Sequence, residues 1–233
     1  MKRSFINARI AEAMDIFARF QFKLPPFSCF TAENWAKAGP EYDEIRENML
    51  GWDVTTFGRD DFYATGLVAF TLRNGNLKTG DLKPYAEKII LVRENQVTPY
   101  HYHWHKMEDI INRSGGNLLV RLYNADENDK FADTDVTVRS DGRRYTVPAG
   151  EIVRLSPGES ITLYPKQYHS FWGEPEKGVV LVGEVSQVND DTADNRFYEP
   201  CGRFNAIEED ELPRYLLGNE YPKRTGEETR RNI

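Results

Sequence analysis

The chain has 233 residues, a length that suits one large domain with a sizeable core. Its 30 lysines and arginines against 37 aspartates and glutamates give a net charge of −7. This balance argues against binding to nucleic acid or to an anionic membrane through a basic face. Because 39% of the residues are hydrophobic and 12% are aromatic, a disordered chain is excluded.

Cysteine usage and the N-terminus both favour a cytoplasmic location. Cys29 and Cys201 lie far apart and outside any CxxC pair, which is typical of a reducing compartment. Glu12 and Asp15 stand where a signal peptide would have its apolar run. No stretch has the roughly 18 consecutive apolar residues of a membrane span. We therefore expect a cytoplasmic protein without a membrane partner.

Residues 1–50 carry helical patterns. The apolar residues that recur at three- and four-residue steps are Ile6, Ile10, Ala13, Met14 and Phe17. They predict an amphipathic helix over about the first 20 residues, which Leu24-Pro25-Pro26 ends. Two short helical segments follow within 31–50, separated at Gly39-Pro40, since Thr31 and Pro40 suit helix starts.

Short β-rich runs dominate the chain from about residue 52. They cover residues 66–72, 88–92, 117–123, 135–139, 144–147, 151–155, 160–164 and 178–185. Asp141-Gly142 between two alternating runs indicates a two-residue hairpin turn. Many short strands without interleaved long helices predict an antiparallel sandwich or barrel.

The pattern predicts three segments within a single domain. Residues 1–50 form a helical segment packed on the barrel, residues 51–205 form the barrel, and residues 206–233 form a charged, proline-bearing C-terminal arm on the surface. The last dozen residues of that arm are expected to be disordered.

Three of the four histidines lie within His101-Tyr-His103-Trp-His105-Lys-Met-Glu108. Residues two apart on a strand share a face, so these imidazoles could point one way, with a carboxylate nearby. The fourth histidine, His169, lies 61 residues beyond Glu108, at the end of another predicted strand. A lone histidine on a strand is usually structural, but four histidines confined to two such segments favour a divalent-metal site.

The two segments resemble the metal motifs of the cupin superfamily. The first has the form HxHx(3–4)E followed by glycine, met here by His101, His103, Glu108 and, after six residues, Gly115. The alternative register, His103 and His105, leaves only two residues before Glu108, fewer than the three or four of the motif. The second motif, LxPGxxHxF, resembles the stretch from Leu163 to Phe171, in which Lys166 replaces the glycine. The resemblance implies a jelly-roll β-barrel and the ligands His101, His103, Glu108 and His169, with His105 near the site.

The flanking sequence narrows the resemblance. Residues 86–92, 97–113 and 183–197 are similar to the D-lyxose isomerase family of cupin sugar isomerases, and the similarity runs from the N-terminal helix to about residue 210. The family implies a manganese-dependent aldose–ketose isomerase, usually a homodimer. It acts on free D-lyxose and D-mannose, giving D-xylulose and D-fructose.

Isomerisation moves a proton between C1 and C2 through an enediol, which requires an electrophile and an acid–base group that reaches both carbons. A divalent ion supplies the electrophile by Lewis-acid polarisation, and the ligand set alone does not distinguish manganese from iron, zinc, cobalt or nickel.

Lys88 opens an apolar strand and is either a strand-edge residue or a partly desolvated acid–base group. A lysine at this place is a feature of the family that the sequence resembles. Glu199 with Lys88 is the favoured proton-transfer pair, while Glu184 is a second candidate base or a partner of a ligand histidine.

Further residues near the motifs are candidates for sugar binding. Asp194 and Arg196 belong to a polar run that is either a loop over the barrel mouth, binding sugar hydroxyls, or a solvated loop with a local salt bridge. The aromatic side chains are expected to fill the core for the most part, with Phe171 lining the site beside His169.

Three classes of function remain open from these residues. The first is the metal-dependent sugar isomerase. The second is a cupin of another reaction, such as a dioxygenase or a phosphosugar isomerase, although no concentrated basic anchor is present beyond Arg196 and Arg203. The third is a non-catalytic sugar-binding cupin, which has no need of a Lewis acid.

Overall fold

The structure is a computed structural model that describes residues 1–80 and 82–222. Its helices are α1 (Arg3–Arg19), α2 (Ala32–Lys37) and α3 (Asp43–Glu47), with 3-10 turns at Pro26–Cys29 and Pro40–Tyr42. No helix in the described part of the chain is long and apolar enough to cross a membrane. The disorder expected for the last dozen residues concerns a stretch of which 223–233 lie outside the described residues.

The three helices lie where the sequence predicts them. α1 ends at Arg19, before the prolines, because Gln21 takes a left-handed conformation with φ of 58° that stops the helix. Thr31 begins α2 with a capping box: its hydroxyl accepts from the backbone N–H of Asn34, whose side chain accepts from the backbone N–H of Thr31.

The strands occupy most of the remaining chain. They are β1 (Gly51–Thr55), β2 (Leu67–Arg73), β3 (Tyr85–Val92), β4 (Thr98–His103), β5 (Glu108–Gly115), β6 (Leu118–Asn124), β7 (Val136–Ser140), β8 (Arg143–Val147), β9 (Ile152–Leu155), β10 (Ser160–Leu163), β11 (Gln167–Gly173), β12 (Val180–Gln187) and β13 (Asn195–Phe197). Every predicted run overlaps one of them. Asp141 and Gly142 form the predicted hairpin turn between β7 and β8, both with positive φ.

The strands form two antiparallel sheets. Within the described residues, an eight-stranded sheet runs in the order β1-β2-β3-β12-β5-β10-β7-β8, and a five-stranded sheet in the order β13-β4-β11-β6-β9. The inner faces of both sheets share one apolar core, which contains Ile90, Ile110, Val120 and Phe171. This is the arrangement of the predicted jelly-roll barrel.

A second core covers the outer face of the larger sheet. Ile10 and Phe17 of α1 pack against Trp52, Phe70 and Leu91. The helix therefore lies on the barrel because its apolar stripe buries the outward face of β1, β2 and β3.

The segment 206–222 contacts this second core instead of projecting into solvent along its whole length. Tyr215 and Leu217 are buried in it, and Leu217 forms a parallel bridge with Trp52. Arg3 of α1 holds the segment at Glu209 and Glu220. Residues 208–212 of this stretch are exposed, whereas Tyr215 and Leu217 are buried in the same core as α1.

Candidate active site

The four residues predicted as metal ligands come together from three strands. His101 and His103 lie on β4, Glu108 begins β5, and His169 lies on β11 directly opposite His101. One potential ligand atom from each lies within 4.8 Å of all the others, and all four side chains are buried. β4 ends at His103, so His105 falls in the turn before β5 and is exposed. The predicted common face therefore holds for His101 and His103 and not for His105, which is outside the cluster.

The hydrogen bonds of His101 and His169 leave the Nε2 atom of each ring unprotonated. His101 Nδ1 lies 2.8 Å from the carbonyl oxygen of Pro99, and His169 Nδ1 lies 3.1 Å from that of Gln167. A carbonyl oxygen only accepts, so each Nδ1 carries the proton and each Nε2 carries a lone pair. The two Nε2 atoms lie 3.1 Å apart. Two lone pairs this close repel each other unless a cation lies between them.

The electrostatics favour neutral imidazoles. Burial, together with neighbouring His169 and His103, holds the pKa of His101 well below its usual value. Burial and then the Lys106 ammonium lower the pKa of His103, whose two ring nitrogens are buried without a hydrogen-bond partner. A neutral imidazole with an unshared lone pair is the form that binds a metal.

Glu108 supplies the negative charge. Its Oε1 lies 3.3 Å from His103 Nε2 and 3.2 Å from His169 Nε2. Burial by itself raises the pKa of Glu108, but the Lys106 ammonium and His103 lower it well below its usual range overall. Three neutral nitrogens and one ionised oxygen are a donor set that fits a divalent cation such as Mn²⁺, Fe²⁺, Co²⁺, Ni²⁺ or Zn²⁺.

Two backbone positions of the motifs take left-handed conformations. Gly115 has φ of 94°, and a Cβ there would clash with the carbonyl oxygen of Val179. Lys166, which replaces the glycine of the second motif, has φ of 61° and donates its N–H to the carbonyl oxygen of His103 at 3.0 Å. The turn before β11 is therefore kept despite the substitution.

A cavity inside the barrel is lined by His101, His103 and Glu108 of the cluster. A chain of ion pairs of alternating sign extends from Glu108 along this cavity, and we call it the charged row. Its members are Glu108, Lys106, Glu184, Lys88, Asp191, Arg203 and Asp53, all among the residues that line the cavity. The successive nitrogen–oxygen distances are 2.7, 2.8, 3.3, 3.7, 2.8 and 2.6 Å. Asn189 Oδ1 accepts hydrogen bonds from both Lys88 and Lys106, at 2.8 and 3.1 Å.

Cross-strand register explains why Lys88 and Glu184, in the middle of the charged row, face the inside of the barrel. Lys88 on β3 lies directly opposite Glu184 on β12, and Glu184 lies opposite Ile110 on β5. Lys88 and Glu184 therefore share the inner face with the metal-ligand cluster, and both are buried.

Of the remaining predicted site residues, one lines the cavity and the others lie outside it. Phe171 lines the cavity, as predicted. Asp194 accepts from the backbone N–H groups of His105 and Lys106, at 2.9 and 3.0 Å, and so holds the turn after β4. Arg196 lies opposite Tyr102 on the outer face and donates to the carbonyl oxygen of Phe197. Glu199 is 75% exposed and pairs with Arg59 at 3.0 Å. These three residues and His105 are not among the residues that line the cavity.

Sequence reasoning missed four members of the charged row. Lys106 stands inside the first motif, between His103 and Glu108, and a lysine there was the one available signal. Asp53, Asp191 and Arg203 come from distant segments, so only the fold brings them together.

Comparison with known proteins agrees with this geometry. The family model for D-lyxose isomerase matches residues 1–221. A D-lyxose/D-mannose isomerase of Serratia proteamaculans is 54% identical over 223 residues, covering 95% of this chain and 98% of the relative. A D-lyxose/D-mannose isomerase of Escherichia coli O157:H7 is 53% identical over the same shares.

Solved structures support the fold. The L-ribose isomerase of Cellulomonas parahominis, solved with L-ribose, has a TM-score of 0.60 and 17% identity, covering 89% of this chain and 98% of that one. The L-ribose isomerase of Acinetobacter sp. DL28, also solved with L-ribose, has a TM-score of 0.60 at 14% identity over the same shares. At such identities the likeness concerns the fold, and it confirms the predicted cupin-type barrel with its N-terminal helix. The family match and the two close relatives together establish that this chain belongs to the D-lyxose isomerase family of sugar isomerases.

Proposed function

We propose that the protein interconverts D-lyxose with D-xylulose, and D-mannose with D-fructose, by proton transfer between C1 and C2 through a cis-enediol intermediate. The observation that carries the proposal is one cavity lined both by His101, His103 and Glu108 of the metal-ligand cluster and by the buried pair of Lys88 and Glu184. The substrates are those in the names of the two relatives that are more than half identical.

The chemistry divides between the cluster and the charged row. His101, His103, Glu108 and His169 would hold a divalent ion, which when bound supplies Lewis-acid polarisation of the sugar oxygens. Glu184, paired with two ammonium groups, is suited to accept a proton from C2 and return it to C1. Lys88 donates a proton to O1 as the enediol forms and takes one from O2 as the ketose forms. Each proton that leaves the sugar is returned, so the isomerisation is balanced.

Glu184 replaces Glu199 as the preferred base in this proposal. Glu184 Oε1 lies 3.3 Å from Lys88 Nζ inside the cavity, whereas Glu199 pairs with Arg59 at the surface. The role of Glu199 stays a prediction from sequence, and it requires Glu199 to leave Arg59. Sugar binding by Asp194, Arg196 and His105 likewise stays a prediction, while Phe171 offers an apolar wall beside His169.

The charge pairing favours a free sugar over a sugar phosphate. Among the described cavity residues, Lys88, Lys106 and Arg203 each lie within 3.3 Å of a carboxylate oxygen. A phosphate group would therefore have to compete with carboxylates that already satisfy these cations. Alternating donors and acceptors instead match the hydroxyl groups of a neutral sugar.

Three finer properties belong to the same proposal and are supported by the resemblance to the family: Mn²⁺ as the native ion, a homodimer, and a cytoplasmic location. Metal analysis of protein purified without added metal tests the first, and light scattering tests the second. A native metal other than manganese would contradict the first property, and a molecular mass equal to that of a single chain would contradict the second.

The test of the function measures ketose formation from D-lyxose and D-mannose by chelator-stripped protein, with and without restored Mn²⁺. In D₂O, proton transfer places deuterium at C1 of the ketose to the extent that the proton held by the base exchanges with solvent, whereas a hydride shift places none. Glu184→Gln and Lys88→Met are expected to lower kcat by about 10²–10⁴-fold. Glu87→Gln is the matched control, because Glu87 lies on the same strand as Lys88 and pairs with Arg73.

The possible outcomes test the function, the identity of the base and the route of the hydrogen transfer separately. Absence of ketose with every divalent ion would overturn the function. Full activity in Glu184→Gln, combined with loss in Glu199→Gln, would return the base to Glu199. Deuterium at C1 of the ketose would overturn a hydride shift, because a shifted hydride does not exchange with solvent.

A further inference from the structure

Two tyrosines alternate with the ligand histidines on the other face of the smaller sheet. Tyr102 lies between His101 and His103 on β4, and Tyr168 precedes His169 on β11. Side chains alternate along a strand, so both tyrosines point away from the cavity. Both are fully buried, and their rings pack edge to face with centroids 4.7 Å apart.

Asp129 accepts a hydrogen bond from each of the two tyrosine hydroxyl groups. Tyr102 donates to Asp129 Oδ1 at 2.7 Å, and Tyr168 donates to the backbone carbonyl oxygen of Asp129 at 2.7 Å. Asp129 thus connects β4 to β11 from outside the barrel, and we call this connection the Asp129 tie. It lies outside the charged row and does not line the cavity.

The loop that carries Asp129 is itself well fixed. Asp126 Oδ1 accepts from the backbone N–H groups of Asn128 and Lys130, each at 2.8 Å. Phe131 stacks on Tyr123 with centroids 4.1 Å apart and meets Tyr168 edge to face. Asp129 has φ of 57°, a left-handed conformation that Asp and Asn adopt more readily than other side-chain residues.

The backbone ladder between β4 and β11 is irregular near the ligand histidines. His169 pairs with His101, but the register shifts between His169 and Phe171, and the pairing of the two strands does not extend to Tyr168. Beyond Tyr168, the backbone N–H of Lys166 donates to the carbonyl oxygen of His103 at 3.0 Å. The hydroxyl bonds to Asp129 add a second constraint, across the stretch that regular pairing does not cover.

We propose that Asp129 is a positioning residue for the metal site, which sets the separation of β4 and β11 through Tyr102 and Tyr168 and so the geometry of His101, His103 and His169. This inference rests on the proposed metal-dependent function. Loss of the tie lets the ligand strands shift relative to each other, which weakens metal binding without removing a ligand.

The test is the dissociation constant of Mn²⁺ for the metal-free protein, measured by titration calorimetry and by the electron paramagnetic resonance signal of bound Mn²⁺. Asp129→Gly removes the carboxylate and accommodates the left-handed conformation, so it is expected to raise Kd about tenfold, the low end for residues that support ligands. Tyr102→Phe removes the same bond from the other side and keeps the ring, so we expect a similar rise.

Two variants separate positioning from general damage to the loop. Asp129→Asn keeps an oxygen acceptor and the left-handed conformation, so its Kd is expected to stay close to that of the unaltered protein. Glu127→Gly places the same new residue at an exposed position of the same loop, and its Kd is expected not to change.

The outcomes distinguish this inference from the proposed function. If the unaltered protein binds Mn²⁺ and both Asp129→Gly and Tyr102→Phe bind it equally well, the positioning role is overturned and the function stands. A rise in Kd for Glu127→Gly as large as that for Asp129→Gly also overturns it. If the unaltered protein binds no divalent ion, the proposed metal-dependent function fails, and the inference fails with it.

Discussion

Replacement of Lys106 with methionine tests the most buried part of the charged row. The Lys106 side chain is 2% exposed, and its ammonium lies 2.7 Å from Glu108 and 2.8 Å from Glu184, themselves 2% and 8% exposed. Burial lowers the pKa of Lys106, but these carboxylates and Asp191 raise it above its ordinary value overall. The lysine is therefore charged, and its removal leaves two buried carboxylates with weakened compensation.

The expected loss in free energy of unfolding follows from this burial. Removal of one partner from a buried ion pair costs about 3–5 kcal/mol. For a chain of this size, such a loss corresponds to a fall in Tm of about 6–20 °C. Methionine keeps much of the volume of the lysine stem, so the change reports mainly the lost charge and its hydrogen bonds.

The assay is denaturant and thermal unfolding of metal-free protein at pH 7. Lys37→Met is the matched control, because Lys37 also pairs with a glutamate, Glu33 at 2.6 Å, but its side chain is 72% exposed. An exposed pair contributes about 0–1 kcal/mol. If Lys106→Met changes the free energy of unfolding no more than Lys37→Met does, the charged row is not the buried ion-pair network described above.

Two further predictions concern the metal and pH. Chelation is expected to lower Tm, and Mn²⁺ at about 100 times its Kd is expected to restore about 2.7 kcal/mol, since the cation relieves the facing lone pairs of His101 and His169; scanning fluorimetry checks this, and an equal Mn²⁺ shift in His101→Ala would contradict it. Burial raises the pKa of Asp191, but Arg203 and Lys88 hold it well below its usual value of about 3.9 overall. The folded-state pKa is thus below the unfolded one, so the ionised carboxylate stabilises the fold above about pH 4, and this contribution is lost as the pH falls through the folded-state pKa. The difference in unfolding free energy between the unaltered protein and Asp191→Asn should therefore be full at pH 7 and shrink below about pH 4, whereas a difference independent of pH would refute the ion pairing.

The metal-ligand cluster was predictable because its residues lie in two short segments that resemble the cupin motifs. The spacing of His101, His103, Glu108 and Gly115 selects the ligand register, and the structure accordingly leaves His105 in an exposed turn. The predicted strands were also found, since alternation and turn residues such as Asp141-Gly142 act within a few residues of chain.

The proposed acid–base residues were harder to predict from the sequence. Glu184 and Glu199 are both glutamates that follow the second motif, and nothing local separates them. Cross-strand register places Glu184 opposite Lys88 inside the barrel, while Glu199 pairs with Arg59 outside the cavity. A shift of one residue in the pairing would reverse the face of Glu184, so its position depends on the whole sheet.

The sequence by itself predicted the barrel class and the N-terminal helix, because periodicity depends on neighbouring residues, and its resemblance to the cupin motifs predicted the four residues of the metal-ligand cluster. Only the tertiary structure decided which charges meet. Lys106, two residues before Glu108, also pairs with Glu184, and Asp191 pairs with Lys88; both of these contacts connect segments that are far apart in the chain. Such pairs are set by strand order and by burial in a medium of low dielectric constant, and no local pattern encodes either.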